Sequence, residues 1–167
     1  CPVPGRSGRC QLTYDAFNRV RTETDSEGYT LTYDYDALDR PTKVTFPDGT
    51  YAQMVYDRLD LAAQRDREGR WTRNYHNALR QLIAVRDPSG RTTNYEWSLG
   101  GPLQALTDGG GHVTRWKYNE ASQMVEKKYA NGSTYAFTYD NANRLATRTD
   151  ALGQITTYAW FRDNNPK

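Results

Sequence analysis

Asp15, Asp36, Asp57, Asn77, Ser98, Asn119 and Asp140 recur at intervals of 20 or 21 residues, and they are the first place to look for chemistry. Brought side by side, the four carboxylates of that row could hold a divalent cation or divide the work of a general acid and base. The row itself argues against this use. Asn and Ser stand in for Asp freely, and neither carries the charge or the proton. What the three share is a short side chain that accepts hydrogen bonds from nearby backbone amides and starts a turn. Turn capping is therefore the role read for the row, and a residue repeated along a chain is a poor candidate for a unique active site. His76 and His112 lie far apart, without an HExxH pattern or accompanying cysteines. His76 reads as a stacked ring and His112 as a surface residue. Gly109-Gly110-Gly111 is not followed by the Lys-Ser/Thr of a phosphate loop, and no Gly-x-Ser-x-Gly elbow occurs. No catalytic residue, metal ligand or cofactor is assigned, and the chain reads as non-enzymatic. Cys1 and Cys10 are the only cysteines. A disulfide between them would suit an oxidising compartment; two unpaired thiols are the alternative, and both readings stay open.

Whatever the row does, regular elements must position it. Each of its members follows an anchor, at Tyr14, Tyr35, Tyr56, His76, Trp97, Tyr118, Tyr139 and, in an eighth partial copy, Trp160. Closing glycines keep the same beat, at Gly28, Gly49, Gly69, Gly90, Gly111, Gly132 and Gly153. Such internal repetition dominates any fold reading. An outer ring sits two residues before most anchors (Tyr33, Tyr95, Trp116, Phe137, Tyr158), which puts both rings on one strand face. Polar residues alternate with them, as Asp34, Glu96 and Lys117 do, so each first run predicts a half-buried strand. Second runs open on Val20, Leu82, Leu103, Met124 and Leu145 and end in Gly-containing turns, where glycine supplies positive φ. Each copy is thus a β-hairpin. The third is one residue short, and an irregularity is expected near 61–66. Ser98-Leu99-Gly100-Gly101 rewrites the fifth turn. Glu126, Lys127 and Lys128 leave the sixth copy's second run exposed on at least one face. The eighth copy is a lone strand from Ile155 to Trp160.

The pattern aromatic-x-Tyr-Asp-x-Leu-Asp/Asn-Arg, seen at Tyr33–Arg40 and in near form at Tyr139–Leu145, resembles the YD repeats of the Rhs family. That family includes bacterial Rhs and wall-associated polymorphic toxins, the shell components of Tc toxin complexes, and teneurins. The likeness runs over about residues 12–160 and is sharpest at Arg19, Arg40 and Arg144; Leu61, Gln81, Pro102 and Gln123 stand where that arginine is usual. It implies an all-β fold in which tandem hairpins of ~21 residues form a continuous antiparallel β-spiral or solenoid-like sheet. It implies three segments: an irregular stretch over 1–10, the repeats over 11–161, and a tail over 162–167. It further implies a length of shell wall, secreted or at the cell surface, enclosing a toxin domain. Its partners would be further YD repeats of the same or a longer chain, or other copies joined through open strand edges into an oligomer or filament.

Composition fits a thin wall. Only 37% of residues are hydrophobic, mean hydropathy is -0.93, and much of the apolar content lies in 13 tyrosines and 4 tryptophans. A single hairpin of this kind cannot offset its own ordering entropy, so neighbouring copies must supply the remainder. Net charge is +2 with both signs interspersed, which gives no nucleic-acid or membrane footprint. Cys1-Pro2-Val3-Pro4-Gly5-Arg6 lacks the apolar segment of a signal peptide, and the mid-pattern start suggests a piece of a longer protein. Exposed rings beside Asp and Asn could instead hold glycans at a cell surface, an adhesive alternative decided by which way the rings face.

Overall fold

The computed structural model describes residues 11–99 and 101–161. It contains fifteen β-strands and, among the described residues, no helix. In order they are Gln11–Tyr14 (β1), Val20–Thr24 (β2), Thr30–Tyr35 (β3), Pro41–Thr45 (β4), Tyr51–Asp57 (β5), Asp60–Arg65 (β6), Trp71–His76 (β7), Leu82–Arg86 (β8), Thr92–Trp97 (β9), Leu103–Thr107 (β10), Val113–Tyr118 (β11), Met124–Lys128 (β12), Thr134–Tyr139 (β13), Leu145–Thr149 (β14) and Ile155–Thr157 (β15). Two compact units are distinguished. One holds the chain through His76 with Arg86–Gly90, the other Asn77–Val85 and the chain from Arg91. In the first, β1 to β7 pair antiparallel, each with its sequence neighbour; in the second, β9 to β15 do the same.

The two kinds of pairing differ, and the difference follows the sequence period. Across each glycine turn the ladder is short and regular, as in Thr22↔Thr32, Glu23↔Leu31 and Thr24↔Thr30. Within each hairpin the register shifts at the anchor end, as between Thr13 and Tyr14, Asp34 and Tyr35, Lys117 and Tyr118, or Thr138 and Tyr139. A bulge of this kind leaves one residue of the second strand unpaired and adds local twist.

Both ends of the hairpins use one turn. Asn18 N donates to Asp15 O at 3.1 Å and Asp15 N to Arg19 O at 2.9 Å, while Asn18 sits at φ +63°. At the other end Gly28 N donates to Asp25 O at 3.1 Å and Asp25 N to Tyr29 O at 3.1 Å, with Gly28 at φ +84°. This is a three-residue hairpin loop, in which a type I turn is followed by a left-handed residue. Glycine fills the left-handed position at one end. At the other, Asn18, Asp39 and Asn143 do so, residue types that tolerate positive φ, along with Arg80 and Ser122, which tolerate it less well.

There is almost no core. Only Ala63 (7% exposed) and Ala105 (0%) are buried among the described residues. Strands β9, β11 and β13 alternate half-buried with exposed residues: Tyr95 and Trp97 are half-covered, Asn94 and Glu96 open. One sheet face carries the rings and the other is polar, as period-two patterning requires.

The structure refines several expectations. The third copy loses its residue from the turn, and the irregularity expected near 61–66 is the usual bulge, with Ala62 skipped between Leu61 and Ala63. Asp57 pairs with Asp60 across a two-residue turn with Arg58 at φ +53°, and the usual register shift follows at Val55/Tyr56. A residue dropped from a loop leaves strand alternation intact, and Asp60, not Leu61, then takes the arginine position. At the fifth turn Gly101 N donates to Ser98 O and Ser98 N to Pro102 O, both at 3.1 Å, while Gly100 lies outside the described residues. The sixth copy's second run is open at Lys128, while the Lys127 ammonium lies 4.6 Å from the Tyr129 ring centroid, on the ring-bearing face. Finally, β15 ends at Thr157, short of Trp160.

Candidate functional site

The recurring row lies at the bulged end of the hairpins, and its side chains cap the turns. Asp15 Oδ1 accepts from the amides of Phe17 (2.9 Å) and Arg19 (3.0 Å). Asp36 does the same for Leu38 and Arg40, Asn77 for Leu79 and Gln81, and Asp140 for Ala142 and Arg144. Asn119 accepts from the Gln123 amide at 2.9 Å, and Ser98 Oγ donates to Pro102 O at 3.2 Å. Asp57 departs from the row, because its two-residue turn offers no such amides.

The second carboxylate oxygen is also engaged. Asp15 Oδ2 takes Arg19 Nε at 2.8 Å, Asp36 takes Arg40 at 2.8 Å, and Asp140 takes Arg144 at 2.9 Å. Where the acid becomes Asn, the arginine becomes Gln: Asn77 Nδ2 donates to Gln81 Oε1 at 2.8 Å and Asn119 Nδ2 to Gln123 Oε1 at 2.9 Å. The ion pair and the amide pair are alternative fillings of one hydrogen-bonded frame. The guanidinium of Arg19 holds the Asp15 carboxyl below the ordinary range, with backbone amides adding to it; Arg40 does the same for Asp36. For Asp140 the Arg144 amide leads and the guanidinium follows. Carboxylates so held stay ionised at neutral pH with their lone pairs committed, the reverse of a poised general acid. Among the described residues no three His, Cys, Asp or Glu side chains stand close enough to hold a metal ion.

A matching row at the glycine turns escaped the sequence reading. Asp25, Asp66, Asp108 and Asp150 each cap their turn with the same two acceptances. The signal was present: an aspartate three residues before the glycine. Asp48 lies in one of these turns and is lowered to about 2, by the Thr50 hydroxyl first and Arg67 second. His112 is open to solvent and pairs with Asp108 at 3.0 Å.

The anchors make a second, longer contact. Tyr35 OH donates to Val20 O at 2.8 Å, Tyr56 OH to Pro41 O at 3.2 Å and Tyr139 OH to Met124 O at 2.9 Å. The indoles of Trp97 and Trp160 reach Leu82 O and Leu145 O, each at 2.8 Å. In every case the acceptor lies fifteen residues back. It opens the preceding copy's second strand, beyond the last ladder pair, so the anchor tip satisfies a carbonyl the sheet leaves over. His76 carries no phenol or indole, and Asn74 Nδ2 reaches Leu61 O instead, at 3.0 Å. Tyr14 and Tyr118 end β1 and β11 in the same register. Tyr33 turns to Glu23 at 2.9 Å, and burial first, then that carboxylate, pushes its phenol up to about 12.

Arginines join successive copies. Arg19 continues past Asp15 to Asp36 O (3.0 Å) and lies 4.8 Å from the Tyr35 ring. Arg40 reaches Arg58 O (2.7 Å) over Tyr56 at 4.0 Å, and Arg144 reaches Phe161 O at 3.1 Å. Gln123 manages the same reach to Asn143 O at 3.2 Å. The seven closing glycines take φ between +80° and +89°. Cys1 and Cys10 lie outside the described residues. The assembled geometry binds strand to strand and, among the described residues, shows no activated nucleophile.

A family model described as RHS Repeat matches residues 14–51 and 118–155. No curated protein sequence matches the chain. Among solved structures, the crystal structure of TcdB2-TccC3 without the hypervariable C-terminal region superposes with a TM-score of 0.76 at 14% identity, covering 96% of this chain and 10% of that one. The pore of the Photorhabdus luminescens Tc holotoxin gives 0.74 at 15%, covering 95% and 10%. At such identities the likeness is one of fold. The chain spans about a tenth of the length of these solved chains.

Proposed function

We propose, for a chain that belongs to the Rhs/YD-repeat family, a non-catalytic structural role: a segment of the wall of an exported protein that encloses another domain, or of an extended self-associating scaffold. One observation carries the reading. Within each unit strands pair only with their sequence neighbours, and among the described residues just Ala63 and Ala105 are buried, so a sheet with one polar and one ring-bearing face suits a partition. Its mechanism is mechanical exclusion. The repeat region runs over 11–161, with the anchor rings and closing glycines as its structural anchors and with 1–10 and 162–167 outside it. Its partners are further YD repeats and an enclosed toxin domain, and its setting is secreted or on the cell surface.

Limited proteolysis of the intact parent protein tests this. A domain enclosed by the repeats resists protease until the wall is denatured; one that is cut as fast as its isolated form contradicts enclosure. A sedimentation series over concentration tests the scaffold form, which a monomer at every concentration removes.

The rings are half-covered and not sealed, and this favours a second reading, adhesion to glycans through the ring-bearing face. A glycan array without hits removes it.

A further inference from the structure

The sixth copy sets two cations against each other. Arg115 on β11 and Lys128 on β12 are direct partners in the antiparallel ladder, so their side chains rise from the same face. In five other copies the same ladder position pairs Gln11 with Thr24, Thr32 with Thr45, Gln53 with Arg65, Asn94 with Thr107 and Ala136 with Thr149. None of those pairs opposes two like charges. Such an opposition costs stability unless an anion lies between the charges.

The neighbouring acids are committed elsewhere. Arg115 meets Glu96 only at 4.0 Å, across Ala105, the ladder partner of both. Glu126 is taken by Lys117 at 2.9 Å. Among the described residues no carboxylate pairs with Lys128. Asp108 accepts from the amides of Gly110 and His112 and is tied to the His112 ring. Three cations and two carboxylates thus share this stretch of the polar face, which leaves one positive charge over. Beside the cation pair runs a groove of about 420 Å³, lined by Val113, Arg115, Lys128 and Ala130 among others. Val113 lies two residues before Arg115 on β11, hence on the same face.

These features select a ligand class. An excess of one charge matches a carboxylate, which carries one at neutral pH, better than a phosphate monoester, which carries nearly two. The groove is larger than a bare carboxylate needs and falls in the range of small organic ligands, with Val113 and Ala130 as carbon to pack on. Strands β11 and β12 are paired on both sides, so they offer an acidic peptide no main-chain groups for strand addition. A nucleic acid would need a run of unneutralised cations and meets a single pair.

We propose that this groove binds one hexuronate residue of an acidic glycan, its carboxylate between Arg115 and Lys128 and its ring carbons over Val113. The site is on the polar face and stands or falls separately from adhesion through the rings. The repeat supplies the test variants. Lys128→Thr installs the residue found at Thr24, Thr45, Thr107 and Thr149, and Arg115→Thr the one found at Thr32, so both should fold as the parent does, checked by far-UV circular dichroism. Methyl β-glucuronide, methyl β-glucoside, acetate and N-acetylglutamate α-amide are titrated separately into the full chain, with the backbone amides of Lys128 and Ala130 followed by NMR. The glucuronide should shift both amides saturably. The glucoside, without the charge, and acetate, without the ring, should each bind about tenfold more weakly or less, and each folded variant should weaken the glucuronide by about tenfold. No saturable shift overturns the site, and so does undiminished binding by either folded variant. Acetate binding as tightly as the glucuronide overturns the sugar and leaves an adventitious ion only. Tighter binding by the glutamate amide overturns it in favour of an acidic side chain.

Discussion

Copies one, two and seven close the bulged turn with an Asp–Arg pair; copies four and six close it with Asn–Gln. The hydrogen-bond frame is the same in both, with the two side chains 2.8–2.9 Å apart. What changes is charge and reach. Arg19, Arg40 and Arg144 each touch the next copy, and so does the amide of Gln123, while Gln81 bonds, among the described residues, only within its own turn. The comparison teaches that the turn needs a donor–acceptor pair of fixed geometry, whereas the link between copies is separable from it. The anchor ring supplies the link that holds in both kinds of copy, since Tyr35 and Trp97 reach the same kind of carbonyl.

If that division is right, removing a ring should cost most. Trp97→Ala loses a half-buried indole and leaves Leu82 O unpaired, and is expected to destabilise by about 2–4 kcal/mol in urea unfolding. Trp97→Phe keeps the packing and loses only the hydrogen bond, about 1 kcal/mol. Equal losses for the two would place the anchor's value in packing alone. Next come the closing glycines: Gly28→Ala, at φ +84° with nothing near its Cβ position, is expected to cost about 1–2 kcal/mol from backbone strain.

The pairs themselves are separated by acid. Asp15, Asp36 and Asp140 have folded pKa values lowered from the ordinary carboxylate value. A lowered folded pKa contributes stability above the unfolded value of about 4, and that stability is lost as pH falls through the folded pKa. Asp36→Asn with Arg40→Gln should therefore flatten the decline in melting temperature below about pH 4 while changing little at pH 7. An unchanged acid limb would mean that other carboxylates set it. Asp48, at about 2, extends the same limb to lower pH, and Asp48→Asn should shorten it there. The smallest effect is a gain: Ser122 sits at φ +59°, and Ser122→Gly should stabilise by roughly 0.5 kcal/mol.

Much of this was legible because a repeat multiplies its own evidence. The strands, their alternation and the positive-φ glycines follow from ring and glycine spacing alone. Capping by Asp, Asn and Ser was legible from their interchange. The partner of each anchor was not, because a hydrogen bond to a backbone carbonyl fifteen residues back needs no particular acceptor side chain: Val20, Pro41, Leu82, Met124 and Leu145 are all apolar, which marks the start of a strand and not the bond. The missing residue of copy three was misplaced for a related reason. Turn and strand are equally short, and only the pairing of Tyr56 with Leu61 shows which one gave way. Lys127 shows that a charge need not mark an open face, since its ammonium lies over the rings of Trp116 and Tyr129.

The four tryptophans offer the most direct test of the central claim, that anchor rings bind each hairpin to the one before. Trp97 and Trp160 donate their indole N–H to a carbonyl of the preceding copy, at 2.8 Å each, whereas Trp71 and Trp116 donate to no described residue. Indole hydrogen exchange followed by NMR should show two slow protons, assigned to Trp97 and Trp160, and two fast ones. Four indoles exchanging alike, or protection at Trp71 and Trp116 instead, would contradict it.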